Sequence, residues 1–91
     1  MKKMVEVQEI ENEGLVKLLG EDVTFFCLNY IYTGKLVGVN DTCVLLENPK
    51  IVYETGKFSD NGFKDAQSLE TKEFYIGLNC IESFGVLPKK N

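Results

Sequence analysis

The sequence contains no histidine and no tryptophan, and all ten of its cations are lysines. Without histidine there is no imidazole base for a Ser-His or Cys-His nucleophile pair and no Cys/His zinc site. Without arginine there is no planar fork for gripping a phosphate with two parallel hydrogen bonds. Cysteine is scarce: Cys27, Cys43 and Cys80 form no CxxC pair, and an odd, widely spaced set does not read as a disulfide framework. We expect them to be small buried apolar residues in a reducing compartment. No run of about 18 apolar residues exists to cross a bilayer, and the start shows no secretory leader. Nor is there a Gly-rich phosphate loop. These absences lead us to expect a soluble cytoplasmic protein off the membrane. We expect it to have no catalytic residues, no metal site and no cofactor.

The composition suits one compact domain covering 1–91. Hydrophobic residues make up 44% of the 91 positions, so a folded core is expected, though a modest one. Fourteen carboxylates outweigh ten lysines, for a net charge of −4. The acid is concentrated early: up to Asp22, six carboxylates face Lys2, Lys3 and Lys17. This argues against general affinity for nucleic acid, which depends on cations neutralising phosphates. A local site built from backbone groups, amides and a few lysines is still open.

Along the chain, MKKMVEVQEI reads equally as a strand or as the lead into a helix. In NEGLVKLLG, Leu15, Leu18 and Leu19 fall at i, i+3, i+4 and predict a short helix over about 12–19, with Asn12 as its cap and Gly20 as its exit. From Asp22 the period changes to two. Val23, Phe25 and Cys27 alternate with Thr24, Phe26 and Leu28, which predicts a strand covered on both faces. A tight link at Asn29 leads into YIYTGKLVGVN. Gly34 and Gly38 inside that strand mark bends or close backbone approach. Asn40 and Asp41 predict a turn, and TCVLLEN a third strand with a break or kink at Pro49, beyond which KIVYETG extends it. The polar stretch at about 54–73 predicts a long loop, which Phe58 and Phe63 pin to the body. FYIGLNCIESFGVL predicts two strands split near Asn79, and the tail LPKKN is expected to fray. The sum is one helix and five antiparallel strands over about 22–87. Packed into so few residues, they suggest a small, strongly bent all-β barrel.

The pattern V23-x-F25, G34-x-L36-x-x-V39-N40-D41-x-C43-V44-L45-L46-x-N48 resembles the first motif of the Sm-like proteins, with spacing most similar to the bacterial Hfq branch. YIGLNCIESF lies where the second motif belongs. The resemblance covers roughly 12–87 and implies an SH3-type five-stranded barrel. It also implies a homo-oligomeric ring of roughly five to seven copies, closed by pairing the fourth strand of one subunit with the fifth of the next. Single-stranded RNA would then meet turns lining a pore, at Asn40, Asp41, Thr42, Gly77, Leu78 and Asn79. Two departures stand out. The family's basic turn between the last two strands is here Gly77-Leu78-Asn79, without a cation, and Thr42 stands where a stacking side chain is frequent.

Two functions follow. One is a ring that binds RNA through repeated amide-bearing turns. The other is an oligomeric scaffold or protein-interaction module on the same barrel, favoured by the acidic balance and the missing stacking group. Asn40 and Asp41 either belong to a site or only make the turn.

Overall fold

The computed structural model describes residues 14–90. The segment MKKMVEVQEI and the expected cap Asn12 lie outside the described residues. The helix is shorter than the leucine spacing predicts. Helix α1 spans Gly14–Lys17. The Leu18 and Leu19 amides donate to carbonyls only three residues back, Leu15 at 3.0 Å and Val16 at 3.3 Å, which tightens the last turn. The chain is then taken over by the sheet. Gly20 N donates to Leu36 O at 2.7 Å, and Leu36 N donates to Glu21 O at 2.9 Å. Leu15 and Leu18 pack on the core, while Leu19 stays largely exposed.

Six strands follow, all paired antiparallel: β1 (Asp22–Cys27), β2 (Ile31–Val39), β3 (Cys43–Glu54), β4 (Asp65–Ser68), β5 (Glu73–Gly77) and β6 (Ile81–Gly85). The extra strand is β4, inside the stretch expected to be loop. It pairs with the far half of β3, Lys50 opposite Ser68 and Val52 opposite Ala66. All four of its residues are exposed, so no apolar alternation announces it.

β3 runs through Pro49 and bends there. Its near half pairs with β5, from Cys43 opposite Gly77 to Glu47 opposite Glu73; its far half pairs with β4. At the bend Asn48 takes a left-handed φ of 50°, a conformation that Asn tolerates better than most residues. Opposite, the β2 register shifts between Thr33 and Lys35, so Asn48 and Pro49 together face Gly34. A Cβ on Gly34 would lie 3.1 Å from Glu47 O and 3.3 Å from Pro49 Cα. A second shift leaves Val37 as the extra residue just before Gly38.

Val23, Phe25, Leu36, Val44, Leu46 and Ile76 form the core, with Leu15, Leu18, Tyr32, Val39, Phe74 and Ile81 packed around it. Full burial of such a side chain contributes about 1.5–3 kcal/mol. Thr24, on the other face of β1, is also fully buried and meets Thr33 across the strands, Oγ1 to Oγ1, at 3.4 Å. Its face-mate Phe26 packs on Phe58 of the long loop at 6.5 Å between ring centroids. β1 is therefore covered on both sides, in part by that loop.

The strand path runs β6-β1-β2-β3, and β3 carries β4 and β5 on its outer side. β5 and β6 are consecutive in the chain, joined by the 3-10 turn Leu78–Cys80. Three residues reach roughly 10 Å, so the end of β5 and the start of β6 lie close together. No β5–β6 ladder joins them among the described residues.

Two expectations need correction. The tail is not frayed as far as it is described: Lys90 is 5% exposed and hydrogen-bonded to the long loop. The cysteines are not all buried. Cys27 and Cys43 are half-buried and Cys80 is exposed: Cys27 packs on the edge of the core at the end of β1, Cys43 opens β3, and Cys80 lies in the 3-10 turn. No helix among the described residues is long and apolar enough to cross a membrane.

Candidate functional site

The six residues singled out in the two turns come together. The register puts Cys43 opposite Gly77, and Leu78 N donates to Thr42 O at 2.9 Å. Asn40–Thr42 and Gly77–Asn79 thus form one adjoining pair of turns. Asn40, Asp41, Thr42, Gly77 and Asn79 are exposed, while Leu78 is half-buried against the core.

Asn40 is occupied with its own turn. Its Oδ1 accepts from Thr42 N at 2.8 Å, Thr42 Oγ1 at 3.1 Å and Cys43 N at 2.9 Å, and its backbone N donates to Cys43 O at 3.0 Å. A carbonyl oxygen with three donors has no capacity left for a ligand; only the Nδ2 donors of the amide do. Asn79 has no side-chain partner among the described residues.

On the other side of the 3-10 turn lies a cleft of about 210 Å³. Its walls include Cys27, Tyr30, Tyr32, Phe74, Gly77 and Cys80. Leu28 N donates to Cys80 O at 2.9 Å, tying the β1–β2 turn to the 3-10 turn. The floor is aromatic. Tyr32 and Phe74 approach to 5.4 Å between ring centroids at 41°, and Tyr30 sits 6.2 Å from Tyr32. Tyr30 remains 52% exposed. Burial pushes the Cys27 thiol above its ordinary pKa of 9.0, with smaller contributions from Cys80 and Glu82. Burial likewise raises Tyr32, helped by Cys27, Tyr30 and Cys80. Both groups are therefore neutral at pH 7, and the cleft is mainly apolar, with polar groups from Asn29, Tyr30 and Tyr75 also in its lining.

The sequence reading missed this cleft because it sought a stacking side chain only at Thr42. The signal was present in Tyr30-x-Tyr32, two aromatics on one face at strand spacing, but Phe74 joins them only through the β3–β5 pairing. Among the described residues, no cluster of His, Cys, Asp and Glu is arranged to hold a metal ion. Compared with protein-family models, with curated proteins and with solved structures, the chain matches none.

Proposed function

We propose that the chain is an Sm-like small barrel that assembles with copies of itself and binds single-stranded RNA. The carrying observation is the strand path. β6 ends the path on one side and β5, with β4, flanks β3 on the other; β5 and β6 are tied by three residues, and each has one edge with no strand partner among the described residues. Such edges are templates for another strand. Pairing the β5 edge of one copy with the β6 edge of the next is head-to-tail, and it closes into a ring if the rotation closes. The bends at Gly34 and Pro49 supply the curvature that a barrel needs.

The RNA reading rests on the cleft and the turns beside it. Tyr30 offers an exposed aromatic side chain, and base stacking on an aromatic ring is worth about 1–3 kcal/mol. Asn79 supplies an amide with no side-chain partner among the described residues for a base edge, and Asn40 supplies only its Nδ2 donors. Fluorescence anisotropy with labelled uridine- and adenosine-rich oligonucleotides tests this. Tyr30→Ala is expected to weaken binding by roughly fivefold or more, and Asn79→Ala to weaken it less, both without changing the assembly's mass. The salt slope is expected to be shallow, because each phosphate contact adds roughly one to it and the cleft walls and the turns contain no lysine.

The scaffold reading keeps one specific support: the Asn40 carbonyl is spent on its own turn, and no cation stands among Gly77–Asn79. Wild-type protein that assembles but binds neither RNA at low salt would favour it.

A further inference from the structure

Lys90 is the one lysine among the described residues that is buried, at 5% exposure. Its Nζ donates to three backbone carbonyls of the long loop, Thr55 at 2.8 Å, Lys57 at 2.7 Å and Gly62 at 2.6 Å. It also lies 5.8 Å from the Phe58 ring centroid and 5.5 Å from that of Phe63. An ammonium has three donors and no acceptor, and here all three donors are used. The ion pair between Lys64 and Glu54 is the only salt bridge among the described residues, so the buried charge is held by carbonyl dipoles and ring faces instead.

The loop's own hydrogen bonds set these carbonyls in place. Lys64 N donates to Thr55 O at 3.4 Å, and Asp60 N donates to Lys57 O at 3.0 Å. Gly62 has a left-handed φ of 71°, which glycine adopts without strain, and its N donates to Lys89 O of the tail at 2.6 Å, a second tie between tail and loop. Phe58 anchors the loop to β1 through Phe26. Three converging carbonyls between two aromatic faces form a receptor whose shape is fixed by backbone.

We propose that residues 55–63 form a binding site for a primary alkylammonium, the head group of a lysine side chain, and that Lys90 fills it in cis as a latch closing the long loop onto the body. The site selects by chemistry. A tetraalkylammonium meets the aromatic faces but has no N–H for the carbonyls. A guanidinium spreads its donors in a planar fork and cannot aim three at one point. Neutralising Lys90 by acetylation leaves one N–H of three and removes the charge, and so opens the latch.

Two measurements on the full chain test it. Wild-type protein is treated briefly with an acetylating reagent and the modified lysines are read by mass spectrometry. Lys90 is expected to react at least about tenfold more slowly than Lys89, because it must first leave its site; equal rates would overturn the latch. In Lys90→Ala, amide exchange across 55–64 is expected to speed up, and millimolar propylammonium chloride to slow it again. Sodium chloride and tetramethylammonium chloride at the same concentration serve as controls. Unchanged exchange in the variant, or equal rescue by all three salts, would overturn the site. If Lys90→Ala does not fold unaided, the same three salts are compared for recovery of folded protein. Propylammonium is then expected to restore the most, and equal recovery in all three would overturn the site.

Discussion

At the scale of single residues, the two strand glycines do different jobs. At Gly34 a Cβ would press on the backbone of β3, at Glu47 O and Pro49 Cα, neither of which can swing aside. At Gly38 the nearest contact is the Leu45 side chain, at 3.3 Å to Cβ. Gly34→Ala is therefore expected to lose roughly 1–3 kcal/mol through overpacking, and Gly38→Ala distinctly less. Chemical denaturation of both variants checks the order; equal losses would mean that Gly34 marks no close approach. These glycines were legible in the sequence because a gap in an apolar strand is itself a signal. Lys90 was not. Its partners are three carbonyls and two ring faces supplied by a loop 27 to 35 residues earlier, and no residue pattern encodes a carbonyl's direction.

At the scale of elements, period-two alternation predicted β1, and runs of strand formers between turn signals predicted β2, β3, its extension past Pro49 and the two strands split near Asn79. Both failed for β4, whose four exposed residues are held by the ladder to β3 alone. The helix also fell short of its leucine stripe, because the hydrogen bonds from Gly20 N to Leu36 O and from Leu36 N to Glu21 O draw the chain into the sheet. The pairing of the two turns was implied by the Sm-like resemblance, and the aromatic cleft required knowing that β5 lies beside β3. That cleft has a pH signature. Cys27 and Tyr32 are both raised above their ordinary values of 9.0 and 10.0, so the folded state holds their protons more tightly than the unfolded chain. Their contribution is complete below about pH 9 and is lost as pH rises beyond it. Thermal melts at about pH 7, 8.5 and 10.5 are expected to show a fall only in the last step, and Cys27→Ala to make that fall smaller. A variant that falls as steeply as wild type would remove Cys27 from this account.

At the scale of the whole molecule, an acidic chain with a modest core leaves two five-residue strands each with an edge unpartnered among the described residues. The β1–β2 and 3-10 turns place the aromatic cleft beside the junction of those same strands, so assembly would repeat the cleft around a ring and raise the affinity of one long strand for many weak sites. Assembly is thus the claim on which the functional reading depends. Light scattering coupled to size exclusion, at tens of micromolar subunit, tests it most directly. The account predicts one concentration-independent species of roughly five to seven subunits; a species at the subunit mass of 10.3 kDa, or a dimer, would contradict it.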